Sequence, residues 1–200
     1  TPVCSSAASD VYKRQAVIGA GLMGSGIAAQ VANAGFPVTL LDIVPDGATN
    51  RNVIAESAVR KMLKPVKLGS PAPLMHKKNS KLITTGNIDD NLDLIKDADL
   101  IIEVVLERLD IKHDVFSKIQ KYRKKGSIVT SNTSTIPREQ LVKGMSESFA
   151  KDFMITHFFN PPRYLRLLEI VSGSEVSSDK VQIVSDFCDI NLGKEIVVCN

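Results

Sequence analysis

Residues 16–42 read AVIGAGLMGSGIAAQVANAGFPVTLLD. An apolar run (Ala16, Val17, Ile18) meets Gly19-x-Gly21-x-x-Gly24, a helix-like stretch follows to Gly35, and a second apolar run from Val38 to Leu41 delivers Asp42. Gly19 permits a tight turn, Gly21 lets backbone approach a pyrophosphate, and Gly24 lets helix pack on strand. The phosphates would rest on the free N–H groups of the helix start, at Leu22, Met23 and Gly24. Asp42 comes 18 residues after Gly24, where a carboxylate accepts hydrogen bonds from adenosine ribose hydroxyls and repels a 2′-phosphate. The pattern therefore predicts a dinucleotide site that prefers NAD to NADP. A plain βαβ unit with a flexible turn would carry similar glycines. The strand before, the helix after and the acid at the right distance favour the dinucleotide. Gly26 is read as one more small residue for close helix–sheet packing.

Outward from this stretch, apolar runs and helical periods alternate. Helices are predicted over 48–64, ended by Pro65, over 88–97, over 107–124 with Ile111, Val115, Ile119 and Tyr122 on one face, over 137–142, and over 178–192, with Ser178 as cap and Gly193 as stop. Strands are predicted over 82–85, 99–105, 127–130, 152–159, 165–171 and 195–199. The run Leu100-Ile101-Ile102 is apolar on both faces, as buried parallel strands require. This alternation predicts an α/β fold, an open, doubly wound, mostly parallel sheet. Residues 65–80, rich in Pro, Lys and Ser, read as an exposed loop. Residues 1–14 are polar and unpatterned and are read as an unstructured or non-native leader, with one domain over 15–200.

With 200 residues and 44% hydrophobic side chains, the chain can bury a core. A net charge of +3, 5% aromatics and no Trp argue against a nucleic-acid partner. Cys4, Cys188 and Cys199 are odd in number and widely spaced, no metal-ligand spacing appears, and a reduced cytoplasmic setting is expected. No apolar stretch approaches the roughly 20 residues of a membrane helix.

Ligands of such sheets sit at the carboxyl ends of strands. Three polar clusters fall there: Glu107 with Lys112; Ser131-Asn132-Thr133-Ser134; and His157 with Asn160. Glu169 follows His157 by 12 residues, a spacing that lets two strands joined at Asn160-Pro161-Pro162 bring imidazole and carboxylate side by side. Imidazole suits removal of a hydroxyl proton during hydride transfer, and a carboxylate would orient it. Ser134 and Asn160 can hydrogen-bond a substrate oxygen. Each feature also has a plainer reading. A strand-end His can be structural, Glu169 a solvated residue, and the serines a helix-capping turn. The lysines from Lys61 to Lys81 read as a solvated face, though such a patch would suit a polyanionic substrate carrier. His76 and His113 read as solvent-facing.

At these residues the sequence resembles the NAD-binding domain of the 3-hydroxyacyl-CoA dehydrogenases of fatty-acid β-oxidation. The matching stretches are AVIGAGLMGSGIA, DLIIEVVLERLDIKHDVF, SNTSTIP, THFFNPPRYLRLLEIV and LGKEIVV. The segments PAPL and LDIVP look most like bacterial multifunctional members, in which an enoyl-CoA hydratase module is fused to the dehydrogenase. The resemblance implies a Rossmann-type domain, His157 as catalytic base, and Glu169 as its partner. It implies substrate and nicotinamide contacts from Ser134 and Asn160, and cofactor contacts from Asp42, Glu107 and Lys112. Ser57 and Lys64, on one helical face, would contact coenzyme A. It further implies an acyl-CoA substrate and a helical C-terminal domain, absent from these 200 residues, that completes the cleft and carries the contact of a homodimer. A dehydrogenase of a small hydroxy acid, or a non-catalytic NAD-binding module, would share the glycine turn.

Overall fold

Eight short apolar runs form one sheet in the computed structural model, which describes residues 14–65 and 71–199. The strands are β1 (Gln15–Ile18), β2 (Val38–Asp42), β3 (Ile83–Asn87), β4 (Leu100–Glu103), β5 (Ile128–Ser131), β6 (Phe153–Phe158), β7 (Leu167–Ser172) and β8 (Glu195–Cys199). Their order is β3-β2-β1-β4-β5-β6-β7-β8. Every neighbouring pair is parallel except β6–β7, which is antiparallel. Strand order reverses beside β1, which opens a crevice at the carboxyl ends of β1 and β4.

Helices cover both faces: α1 (Leu22–Asn33), α2 (Val53–Met62), α3 (Leu109–Tyr122), α4 (Arg138–Val142), α5 (Glu147–Ala150) and α6 (Ser178–Asp186). Successive strand residues serve opposite layers. Val17, Leu40 and Ile102 pack with Ile27, Val31 and Met62 on one side. Ala16, Ile18 and Ile101 pack with Ile95, Val115, Phe116 and Ile119 on the other. There Phe116, Phe149 and Phe153 bring ring centroids within 5.1–5.7 Å of one another.

Several elements differ from expectation for local reasons. α2 starts at Val53 rather than 48, because Asn50-Arg51-Asn52 is fixed outside the helix by bonds from Asn50 to Glu56 and from Arg51 to Asp90. Over 88–97 only Leu92–Asp97 is helical, and as a 3-10 turn. The preceding residues wrap around the Asn87 side chain, which accepts from the Asp89 and Asp90 amides. The last helix has Ser177, not Ser178, at its N-cap position, with no side-chain capping bond, and passes at Phe187–Asn191 into a π-helical turn. The helix α5 carries too few residues to show a period. Strand β7 begins at Leu167 because the chain from Pro161 to Leu165 first makes a helical turn, the Tyr164 and Leu165 N–H groups both donating to the Pro161 carbonyl. The Asn160–Pro161 peptide is cis.

Of the segment read as a loop, residues 66–70 lie outside the described residues. The rest is anchored. Leu74 is buried and donates to the Met62 carbonyl, Asn33 accepts from Met75 and Asn79, and Lys77–Leu82 is a 3-10 turn. The leader assigned to 1–14 lies outside the described residues except Arg14, whose backbone and guanidinium bond Asp99 and Asp97. Among the described residues no helix is long and apolar enough to cross a membrane.

Candidate active site

The turn after β1 is glycine by necessity at two positions. Gly19 sits at φ +111°, and a Cβ on Gly24 would lie 1.8 Å from the Gly19 carbonyl oxygen. A Cβ on Gly21 would meet nothing within 4 Å, so this face of the turn is open. No side chain caps α1, and its first N–H groups therefore point outward unpaired within the helix. At the end of β2 the Asp42 carboxylate accepts from the Ala20 N–H at 2.5 Å and from the Ile43 N–H at 2.7 Å. An uncapped helix start, an open cradle and a carboxylate fixed at its rim fit a dinucleotide. Gly26 serves a purpose other than the one expected. A Cβ there would meet Pro162, at 3.0 Å, so it makes room for the β6–β7 turn and not for the sheet.

The end of β4 carries a buried charged cluster. Glu103, 0% exposed, accepts from the Lys112 ammonium at 2.8 and 3.1 Å, the Ser131 hydroxyl at 2.6 Å and the Val105 N–H at 2.7 Å. Burial pushes the Glu103 carboxyl up; Lys112, Ser131 and Val105 pull against it. All these partners are donors, the arrangement a carboxylate requires. Lys112, expected among the cofactor contacts, is 1% exposed and is shared between Glu103 and Glu107, the latter at 3.3 Å. Glu107 in turn gathers the next loop. Its Oε1 accepts from the Thr133 hydroxyl, the Ser134 N–H at 3.2 Å, and the N–H and hydroxyl of Thr135 at 3.3 and 3.1 Å. Burial raises the Glu107 carboxyl, but the bonds from Thr133, Lys112 and Thr135 outweigh it and hold it below the ordinary range.

The third cluster closes across the antiparallel pair. His157 and Glu169 stand in register, with Nδ1 2.9 Å from Oε2. The imidazole packs on Phe159, 4.4 Å between centroids. Asn132 ties this strand to the neighbouring loop, its Oδ1 accepting from the Phe158 N–H at 2.9 Å. Ser134, His157 and Glu169 line one pocket of about 320 Å³. A separate, larger groove of about 1150 Å³ is lined by Gly21, Leu22, Ser57, Lys64, Asn160 and the following Pro161–Tyr164 turn. The larger space is mainly apolar and lacks the imidazole. The titratable His157–Glu169 pair lines the smaller pocket and Asn160 the larger groove.

The structure thus joins Ser134 to His157 and Glu169, and Ser57 to Lys64 and Gly21. His76 is exposed, as expected. His113 is not solvent-facing. It is half-buried, with Nε2 2.8 Å from the Gln140 carbonyl oxygen. Sequence reasoning missed Glu103 and gave Thr133 no role of its own within the Ser131–Ser134 cluster. A charged residue closing the run Leu100-Ile101-Ile102 was the available signal, since a carboxylate there must find donors.

Fold and glycine turn together define a dinucleotide-binding domain of the Rossmann type. The chain belongs to the family described as 3-hydroxyacyl-CoA dehydrogenase, NAD binding domain, whose model matches residues 14–200. It is 45% identical over 188 residues to a probable 3-hydroxyacyl-CoA dehydrogenase of Deinococcus radiodurans, covering 94% of this chain and 53% of that one. It is 44% identical over 188 residues to a putative fatty acid oxidation complex trifunctional enzyme of Rickettsia felis, covering 94% and 26%. The solved 3-hydroxybutyryl-CoA dehydrogenase of Escherichia coli K12 superposes with a TM-score of 0.73 at 27% identity, over 94% of this chain and 38% of that one. The chain spans about half the length of the first relative and about a quarter of the second.

Proposed function

We propose that the protein of which this chain is the NAD-binding domain oxidises (S)-3-hydroxyacyl-CoA to 3-oxoacyl-CoA, the hydroxyacyl step of fatty-acid β-oxidation. The observation that carries the reading is the His157–Glu169 pair at 2.9 Å, in a pocket shared with Ser134. Glu169 accepts a hydrogen bond from Nδ1, which leaves Nε2 to take the substrate's hydroxyl proton. As the ring becomes an imidazolium, the same carboxylate stabilises it. Ser134 and Asn160 orient the hydroxyl from either side. NAD, when bound, supplies the hydride acceptor. Leu22, Met23 and Gly24 would hold its phosphates by N–H groups, Gly19 and Gly21 would leave it room, and Asp42 would take the adenosine ribose. Glu107 would meet the nicotinamide side, with Lys112 acting behind it. Ser57 and Lys64 line the groove and would receive the coenzyme A portion.

The expected partners are a helical C-terminal domain, an enoyl-CoA hydratase domain in the parent chain, and a second copy in a homodimer. The names of the multifunctional relatives support further domains in the parent chain. Among the described residues Cys188 and Cys199 are free thiols, and the setting proposed is cytoplasmic. The test is NADH oxidation by acetoacetyl-CoA in the complete parent chain, beside small oxo acids lacking the CoA moiety. His157→Gln should lower turnover about 1000-fold with NADH affinity unchanged. Undiminished turnover removes His157 from the mechanism, and a preference for the small acids removes the acyl-CoA assignment.

A further inference from the structure

Lys194 lies between Gly193 and β8, lines neither cavity itself, and is 2% exposed. Its ammonium donates to the Pro162 carbonyl and, at 2.8 Å, to the Leu165 carbonyl. It also stands 5.7 Å from the centroid of the Phe158 ring. Among the described residues no carboxylate pairs with it. Burial pushes its pKa down, and the nearby Cys188 thiol, itself pushed up to about 12 by burial, acts in the opposite sense. A charge withdrawn from water without a counter-ion is unfavourable, and a methionine would fill the same space without that penalty. What the ammonium adds is specific. The turn at Pro161–Leu165 is a single helical turn, and its last carbonyls have no donors of their own. Lys194 supplies donors to two of them, at Pro162 and Leu165.

That turn connects the two halves of the proposed catalytic pair. Upstream it continues into Asn160 and His157, downstream into Glu169, and its outer side forms a wall of the groove. From below, Gly26 of α1 leaves just enough room for Pro162. From the far edge, Arg163 donates to the Ala72 carbonyl at 2.5 Å. We propose that Lys194 is a positioning residue. Its ammonium, seated behind the Pro161–Leu165 turn, sets where Asn160 and the groove wall stand relative to His157 and Glu169. The effect on catalysis rests on the proposed function above; the clamp itself does not.

The experiment uses the complete parent enzyme and Lys194→Met, with two independent readouts. Amide exchange of Tyr164 and Leu165, the two N–H groups bonded to the Pro161 carbonyl, should accelerate about tenfold or more once the clamp is gone. Turnover with acetoacetyl-CoA, expressed per NADH-binding site, should fall about 10- to 100-fold, with NADH affinity within about twofold of wild type. Gly26→Ala, which presses Pro162 from the opposite side, should lower turnover in the same direction with Lys194 intact. A folded Lys194→Met enzyme with wild-type exchange at Tyr164 and Leu165 overturns the clamp. One that only melts earlier, with turnover per site unchanged, overturns the positioning role. If this variant does not fold, exchange in the wild type decides, and Tyr164 and Leu165 amides as fast as unbonded loop amides overturn the proposal. If wild-type enzyme shows no acetoacetyl-CoA-dependent NADH oxidation, the functional reading fails while the exchange measurement still judges the clamp.

Discussion

The region around β1 and the region around β4–β7 solve the same problem, a fixed place for a ligand, in opposite ways. Around β1 the place is made by omission. Gly21 leaves open space, Gly24 presses bare Cα against the Gly19 carbonyl, and α1 starts uncapped. Around β4–β7 it is made by side chains reaching across strands. Lys112 joins Glu103 to Glu107, Glu107 gathers Thr133 to Thr135, and Glu169 holds His157. The first region depends on backbone conformation over a few contiguous residues. The second depends on charge pairs and therefore on every partner being present. The two should fail differently when perturbed: the glycine turn in affinity, the charged cluster in stability and turnover together.

The largest effect is expected at Glu103. Glu103→Leu leaves the Lys112 ammonium in the interior with one half-exposed partner, and should cost about 3–5 kcal/mol of folding stability, read as a fall of about 10 °C or more in melting temperature. Adding Lys112→Met should recover most of that loss, because an apolar pair replaces a stranded charge. Turnover should stay low in the double variant, since Ser131 and Glu107 have both lost a partner. Recovery of turnover with stability would mean that the cluster is only structural. Next comes Gly24→Ala. Its methyl has no room beside the Gly19 carbonyl, so the helix start must shift, and NADH affinity should fall about 100-fold, about 2.7 kcal/mol. Calorimetric titration checks this. Turnover at saturating NADH should change far less, and an equal loss in both would erase the distinction between the regions.

How much could be read without coordinates follows the same division. The glycine turn and Asp42 are contiguous, so spacing alone exposed them. His157 and Glu169 were within reach because an antiparallel return makes a separation of 12 residues a contact, and the register pairs them. Glu103 was read only as part of an apolar strand. Its partners Lys112 and Ser131 lie 9 and 28 residues away, and no local period connects them. Lys112 was read beside Glu107 as a polar residue beyond a strand end, and the family resemblance implied a cofactor contact; neither reading spoke of its burial. Lys194 drew no attention because a lone lysine before a strand looks solvated; only the chain's return past Pro162 and Leu165 encloses it.

Two smaller predictions test the boundary between the regions. Asp42→Asn retains the shape of the rim but loses the charge that the Ala20 and Ile43 N–H groups support. NADH affinity should fall about tenfold while discrimination against NADPH narrows. A comparison of the two coenzymes by fluorescence titration decides it, and unchanged discrimination would remove Asp42 from the specificity. The smallest effect is expected at Glu107, which borders both regions. Its carboxyl is held below the ordinary range in the folded chain, burial raising it and the Thr133, Lys112 and Thr135 interactions more than offsetting that. The ionised form therefore favours folding. The stabilisation is present above the unfolded carboxylate range and is lost as pH falls through the lowered folded value. With its side chain 39% exposed, solvent screening limits the contribution to about 0.5 kcal/mol. The stability difference between wild type and Glu107→Gln should accordingly appear at neutral pH and fade toward strongly acidic pH. A difference that stayed constant across that range would show that Glu107 orders the Thr133–Thr135 loop by shape and hydrogen bonding alone, without its charge.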